Sequence, residues 1–431
     1  MRRAWAAAAV ALALAAAACE GGGGGTPAGG GDGGPTEVVF WHGNTDQAAR
    51  VLNELVDEFN SQNSGVRVKA EFYGNADRAL QKVETAVASG VYPDIAYLYG
   101  SWAPNIAESP KVLDLSRFVE SDAGFDWEDF WPAERLVSEV EGKIVGVPAV
   151  VDNLAIVYNK KLFDDAGLEH PQPDWTWADF RAAARALTDP SRKQFGTAYP
   201  ADATEDTVWR WEAMLWEAGG DILTPDMSEA AFDSDAGYQA LEMLRLMAVE
   251  DESIFIDTTN TKIEDLFNSG HIGMLVTGPW NLPSFPNVDY GVEIMPAFDD
   301  PTNHQTISGP DLWVLFDNGS ERSQAAVDFI KWYTSGKQDL RNAMISATLP
   351  IRRSELKDPL YDKLLSKYPG IGTFVKNMGN AVKARPATPK YPLASEALGQ
   401  AIVSVLLGRS GTREALEQAA DKVNSILQTP S

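Results

Sequence analysis

An α/β fold is what the sequence predicts, on three observations. Short apolar runs alternate with amphipathic helical stretches from residue 37 onward. Glycines and Asp or Thr caps punctuate the boundaries. Apolar residues make up 44% of 431, enough for a sizeable core and for two or three units of ordinary domain size. Residues 37–41 (EVVFW) form the first run, a buried strand broken by Gly43 and Asn44. Asp46 then caps a helix with Val51, Leu52, Leu55, Val56 and Phe59 at helical spacing. Residues 66–73 (VRVKAEFY) alternate and predict a strand. Asp77 opens a second helix, with Leu80, Val83 and Val87 on one face and Gly90 as its stop; YPDIAYLY is a third, buried strand. Strand, helix, strand, helix, strand in this rhythm predicts a mostly parallel sheet with crossover helices.

Residues 146–163 (GVPAVVDNLAIVYNKKLF) depart from the pattern. One apolar run ends at Val151 and another starts at Leu154, with Asp152 and Asn153 between them. A carboxylate and an amide in such a place must be solvated or paired, since burying them alone is costly. Further on, Thr176 with Asp179 reads as a capping box ahead of a helix carrying Phe180, Ala184 and Leu187. Residues 207–218 hold three tryptophans and end in Gly219-Gly220. Residues 263–269 are helical up to Gly270, and 272–276 form a strand that runs into Gly278-Pro279-Trp280. Residues 312–316 (LWVLF) are a strand after Gly309-Pro310-Asp311. Helices fill 320–346 and 394–428, and a Pro-rich stretch, ARPATPKYP, lies at 384–392. The chain has no internal repeat.

The first 35 residues are of another kind. Arg2 and Arg3 precede a short apolar segment, 4–18, and small residues lead to Cys19, the only cysteine. This is the pattern of a secretory signal, too short for a transmembrane helix. Ala17-Ala18-Cys19 matches a bacterial lipobox, although Ala16 stands where leucine is usual. Cys19 is therefore expected to carry lipid, which anchors a protein firmly when several chains are attached. Residues 20–35 are Gly-rich and read as a flexible tether. The expected organisation is a signal peptide at 1–18, a lipidated cysteine and tether at 19–35, and a body from residue 36.

Charge and motifs exclude several functions. A net charge of −25 sets the chain against nucleic acid. His42, His170, His271 and His304 are scattered, and no HExxH, Cys/His cluster, GxSxG or phosphate loop is present. No metal, cofactor or enzymatic activity is expected; with 61 acidic residues some pair always exists, so pairing alone is no sign of glycoside hydrolysis. The 13 tryptophans carry more information. Trp41, Trp102, Trp280 and Trp313 fall where strands meet loops, and Trp209, Trp211 and Trp216 share one helix. In parallel α/β sheets ligands sit outside the carboxyl ends of strands. A flat indole there suits the apolar face of a sugar ring, with nearby Asp, Asn and Arg serving its hydroxyls.

Eight segments in order resemble the extracellular solute-binding proteins of carbohydrate ABC transporters, the family that contains the maltose-binding protein. They are FWHG at 40–43, YPDIAYLYGSW at 92–102, VLDLS at 112–116 and GVPAVVDNLAIVYNKKLFDDAGL at 146–168. TWADFRAAARALTD at 176–189, EAGG at 217–220, GMLVTGPW at 273–280 and FIKWYTSGKQ at 329–338 follow. The resemblance covers essentially the whole body. It implies a two-lobed fold of the periplasmic-binding-protein type II, with a ligand cleft between lobes joined by crossing hinge segments. Lobe 1 is expected from 36–150 plus 307–350, lobe 2 from 151–306 plus 351–431. Asp152 and Asn153 then lie at a crossing, facing the cleft; the matching position in the maltose-binding protein is a carboxylate that contacts sugar. Trp280 matches a sugar-stacking tryptophan, Asn44 lies in a ligand loop, and Trp102 lies in a region of polar and aromatic contacts. Trp209 aligns loosely with an aromatic contact. Asp311 and Trp313 mark re-entry into the first lobe, where Gly-Pro-Asp departs from the family's Gly-rich turn. Arg385 and Tyr391 flank a loop that borders the cleft.

The implied function is capture of a sugar outside the membrane by a monomeric lipoprotein, with closure of the lobes and delivery to a permease. The same family includes binders of glycerol phosphodiesters and other polyols. A phosphate would call for cations or helix N-termini, and Arg385 is the lone cation among otherwise acidic and aromatic candidates. A sugar sensor without transport is the remaining reading.

Overall fold

The computed structural model describes residues 34–44, 46–74 and 79–429. The leader, Cys19, most of the tether and Asp77 lie outside the described residues. The strands are β1 (Thr36–His42), β2 (Val66–Phe72), β3 (Ile95–Tyr99), β4 (Glu139–Val140), β5 (Lys143–Ile144) and β6 (Gly146–Val150). They continue with β7 (Ala155–Asn159), β8 (Thr197–Pro200), β9 (Ile254–Asp257), β10 (Met274–Thr277), β11 (Tyr290–Glu293) and β12 (Asp311–Leu315). The three runs that open the chain are strands, as their patterns predict.

Five strands form one sheet in the order β2-β1-β3-β12-β6. β1 runs parallel to β2 and β3, but β12 is antiparallel to both β3 and β6. The expected mostly parallel sheet is therefore mixed. Only β1 to β3 are linked by crossover helices. β12 enters after the chain has travelled through residues 151–310, and it arrives from the opposite end. A second sheet, β10-β7-β11, is antiparallel throughout, with β7 at its centre.

The architecture is two-lobed. One buried cluster is drawn from residues 154–307 and 391–423; the other gathers β1, β2, β3, β6 and β12 with the helices of 320–346, and continues through residues 349–378 onto residues 263–290. β7 serves both. Ile156 and Tyr158 belong to the first cluster, Ala155 and Val157 to the second. The two-residue period of a strand sends alternate side chains to opposite faces, so a strand buried on both faces is a near-continuous apolar run, here 155–158.

The helices follow their caps and stripes. Residues 46–62 bury Val51, Leu52, Leu55, Val56 and Phe59, the expected set. Residues 79–89 bury Ala79, Val83 and Ala86, while Leu80 and Val87 are only half-buried, so the stripe is rotated from the expected one. The capping box before Trp177–Leu187 is complete: Asp179 N–H donates to Thr176 Oγ1 at 3.2 Å and Thr176 N–H to Asp179 Oδ2 at 2.9 Å. The helix Glu205–Glu217 is buried at every position from Thr207 to Glu217, enclosed in part by the helices 235–245 and 391–406. Among the described residues no helix is long and apolar enough to cross a membrane.

Candidate functional site

Three chain segments run side by side where β6 hands over to β7. Val151 bridges to Leu349 and Asn153 to Ser308. This explains the polar interruption in the sequence. Leu154 N–H donates to Thr306 Oγ1 at 3.1 Å, and that hydroxyl donates to the Leu154 carbonyl at 2.7 Å. Ser308 Oγ lies 2.8 Å from the Asp152 carbonyl oxygen and 2.9 Å from Glu134 Oε1. Gly309 N–H donates to Asp152 Oδ1 at 3.0 Å. Tyr97 O–H donates to Asp311 Oδ2.

Asp152, Glu134 and Asp311 thus bring three carboxyl groups to one region from three elements. All three are buried. Burial raises the Asp152 carboxyl to about 7, against the Gly309 N–H and the Arg385 charge, which lower it. Burial also holds Glu134 well above the ordinary carboxyl range against the Ser308 hydrogen bond and the Arg385 charge, which lower it, and the charges of Asp152 and Asp311 add to the rise.

The aromatic part of the site is built on glycines. A Cβ on Gly278 would fall 1.6 Å from Trp280 Cζ3, so the Trp280 ring can fold back over residue 278 only because it is glycine. That ring is half-buried and lies 5.7 Å from the Trp209 ring, tilted by 38°. On the other side, a Cβ on Gly309 would stand 3.2 Å from Trp209 Cζ2 and 2.8 Å from Asp152 Oδ1. Gly309 therefore lets the Trp209 edge and the Asp152 carboxyl converge. Cζ2 belongs to the indole edge that bears Nε1, and that nitrogen is buried without a hydrogen-bond partner. The group offers an aromatic face, an unused N–H and carboxyl acceptors in one place, a combination that serves a ring with an apolar face and hydroxyl groups.

Behind Trp209 lies a second network. Arg385 Nη1 donates to Glu205 Oε1 at 2.9 Å, and Tyr391 O–H lies 3.0 Å from the same oxygen and 3.1 Å from Glu212 Oε2. Ser395 Oγ donates to Glu205 Oε2. Burial alone would lower the Arg385 pKa, but Glu205, Tyr391 and Glu212 outweigh it and raise it. Burial and the Glu205 charge lift Glu212 to about 8. The network fixes the Pro-rich loop against the helix that carries Trp209.

The expected site residues therefore divide. Asp152 and Trp209 come together at Gly309 with Trp280 packed on Trp209, while Arg385 acts electrostatically on Asp152 and Asp311 on Glu134. Asn153, expected to face the ligand, has its amide enclosed by the protein: its Nδ2 donates to the Phe374 carbonyl at 2.9 Å, and its Oδ1 accepts from Asn377 at 3.0 Å. The Arg385 guanidinium and the Tyr391 hydroxyl are likewise committed to Glu205 and Glu212. Trp313 sits inside the first sheet's core, 4.6 Å from Phe40 and 5.4 Å from Tyr97. Its strand places it mid-sheet, with no free face. Trp102 is buried against Tyr99 at 4.6 Å. Asn44 is half-buried just after β1. Among the described residues no group of His, Cys, Asp and Glu could hold a metal.

Glu134, Glu205, Glu212 and Ser308 were not singled out by sequence, and Gly309 stood out only as part of the Gly-Pro-Asp turn. For two of them a signal exists. Glu205, Trp209, Glu212 and Trp216 recur at helical spacing, which puts the two acids on the face of Trp209. Glu134 offers none, because an isolated acid in a short helix reads as solvated.

Comparison with known proteins fits this geometry. A family described as bacterial extracellular solute-binding protein matches residues 54–373. The maltotriose-binding protein of Pyrococcus abyssi is 22% identical over 341 residues, 76% of this chain and 69% of that protein. The sn-glycerol-3-phosphate-binding periplasmic protein UgpB of Escherichia coli is 21% identical over 412 residues, 91% of this chain and 93% of that one. Among solved structures, the cyclic alpha-maltosyl-1,6-maltose binding protein from Arthrobacter globiformis superposes with a TM-score of 0.77 at 29% identity, covering 92% of this chain and 100% of the other. UgpB from Mycobacterium tuberculosis in complex with glycerophosphocholine superposes at 0.82 with 18% identity, covering 91% and 99%, a likeness of fold alone. These relatives are binding proteins. With a match running from 54 to 373 across both lobes and their crossing, the chain belongs to the bacterial extracellular solute-binding proteins.

Proposed function

We propose that this protein captures a sugar or oligosaccharide between its lobes and delivers it to the permease of an ABC importer. The observation that carries the sugar reading is the group at Gly309: a half-exposed Trp280 against Trp209, beside the Asp152 carboxyl and the unused Trp209 N–H. The names of the relatives support it, maltotriose and a cyclic maltose derivative among them. Lobe 1 comprises 36–150 plus 307–350 and lobe 2 comprises 151–306 plus 351–431, so a ligand that touches both favours the closed form. No bond is made or broken. Asp152, Trp209 and Trp280 contact the ligand, Asn44, Trp102 and Asp311 border it, and Arg385 and Tyr391 hold the Trp209 helix in place. Lipid on Cys19 keeps the monomeric protein at the outer face of the membrane, close to its permease.

The second reading, a glycerol phosphodiester, rests on the relatives named for glycerol 3-phosphate. Against it, Arg385, the cation of the group, is already paired with Glu205, and the groups beside Asp152 are acids. A phosphate calls for free cations, which this group does not offer.

A thermal-shift panel decides between them. It spans maltose, trehalose, cello- and xylo-oligosaccharides, monosaccharides and glycerophosphodiesters. A ligand at about 100 times its Kd stabilises by about 2.7 kcal/mol. A response to a neutral sugar, lost in Trp280→Ala and Asp152→Ala, is expected. A response to the phosphodiesters alone overturns the sugar reading. Cys19→Ser is expected to move the protein from the membrane fraction to the medium; retention on the membrane would refute lipid anchoring.

A further inference from the structure

Glu134 is the most enclosed acid of the crossing. Its side chain is fully buried, Oε1 faces Ser308 Oγ at 2.9 Å, and Oε2 is buried without a partner. The same serine oxygen lies 2.8 Å from the Asp152 carbonyl. A serine hydroxyl has one hydrogen. It can donate one full hydrogen bond, to the Asp152 carbonyl or to Glu134; shared between the two, it would make only a weak, bent bond to each. A carbonyl oxygen cannot return a proton. Both short contacts become full hydrogen bonds only when Glu134 supplies the second hydrogen.

We propose that Glu134 is a positioning residue of the ligand site: at neutral pH it carries a proton, donates it to Ser308 Oγ, and so leaves the serine hydrogen for the Asp152 carbonyl. The relay Glu134 O–H to Ser308 O–H to Asp152 C=O fixes the main chain of residue 152 while Gly309 N–H fixes one oxygen of its carboxyl. The Asp152 side chain is then held beside Trp209 rather than free to turn. The lone Oε2 fits the same state. A neutral carbonyl oxygen without a partner is far cheaper to bury than half of a carboxylate. The charged and titratable groups that act on Glu134 are Asp152 and Asp311, which favour its neutral form, and Arg385, which opposes it while paired with Glu205. Loss of the proton would leave the serine with two competing acceptors and set a third negative charge beside Asp152 and Asp311.

That Asp152 faces the ligand rests on the sugar-capture reading; the protonation itself does not, and the experiment separates them. The purified chain is compared with Glu134→Gln and Glu134→Ala by difference infrared spectroscopy and by melting temperature from pH 5 to 9. At pH 7 the wild type minus Glu134→Gln spectrum is expected to contain the carbonyl band of a protonated carboxyl. The Gln amide can donate to Ser308 in place of the acid, so Glu134→Gln should melt close to wild type at pH 6 and lose less on going to pH 9. Glu134→Ala should melt lower at every pH. A carboxylate band in place of the protonated one, or a Gln variant as unstable as the Ala variant, overturns the proposal. Should the Gln variant not fold, Ser308→Ala serves: the protonated-carboxyl band must shift in frequency when its acceptor is removed, and an unmoved band refutes the relay. Where the infrared result holds and no sugar stabilises the chain, the relay stands and the capture reading fails.

Discussion

At Gly309 the crossing has no room to spare. A β-carbon there would press on Asp152 Oδ1 at 2.8 Å and on Trp209 Cζ2 at 3.2 Å, and neither neighbour can yield freely. Asp152 is tied by the Gly309 N–H and Trp209 is buried in its helix. Overpacking of this kind costs about 1–3 kcal/mol. Gly309→Val should therefore lower the melting temperature modestly and weaken binding of whichever panel ligand responds by a larger factor, because two of its contacts are displaced together. Titration calorimetry measures the second effect. Unchanged affinity would show that Asp152 and Trp209 do not meet the ligand. Residue-level legibility was uneven here. Asp152 stood out because a carboxylate interrupted two apolar runs. Glu134 and Ser308 did not, since their meaning lies in a contact across 174 positions of sequence.

Among the elements, the helix Glu205–Glu217 shows how an acid-rich helix can be buried on all sides. Its Glu205 and Glu212 are compensated by Arg385, Tyr391 and Ser395 from the Pro-rich loop and the helix after it. Truncating one partner of a buried ion pair leaves an uncompensated charge, a loss of about 3–5 kcal/mol. Arg385→Leu should thus melt well below wild type in calorimetry, and Glu205→Gln added to it should recover part of the loss. A double variant no better than the single one would mean that the pair is not coupled. The Pro-rich loop also reaches the short helix Ala103–Ala107, where Asn105 Nδ2 donates to the Pro389 carbonyl at 2.6 Å. Helix caps and stripes were readable from spacing, as at Thr176 and Asp179. The sheet order was not, because β12 joins its sheet from a distant part of the chain.

For the whole molecule, buried carboxyls set the response to pH. Asp152 is raised to about 7, Glu212 to about 8 and Asp339 to about 6, and burial lifts Glu134 and Glu217 well above their ordinary range. Each ordinarily titrates near 4 when unfolded. Between those values the folded state holds more protons than the unfolded chain, so stability falls as pH rises. The contribution is fully present below about pH 4 and is lost as pH climbs through 6 to 8. Surface acids paired with cations, such as Glu58 with Arg341 and Asp122 with Lys331, are lowered instead and lose their contribution in acid. A melting-temperature maximum near pH 5–6, with decline toward pH 9, is the expected sum. A rise between pH 6 and 9 would show that the buried acids are ionised in the fold.

By itself the sequence determined the elements, their apolar faces and the family, because period, caps and turn residues act over a few positions and eight ordered segments leave little freedom. It also marked Asp152 and Trp280 as unusual. Only the tertiary structure decided which polar groups are used up and which remain available. Asn153, Arg385 and Tyr391 look as suited to a ligand as Asp152 does, yet their hydrogen bonds close within the protein. The Trp209 N–H is left without a partner, and Gly309 is where the edge of that ring and the Asp152 carboxyl converge. Hydrogen-bond capacity is settled by neighbours in space, and at this crossing those neighbours come from residues 134, 152, 209, 308 and 385.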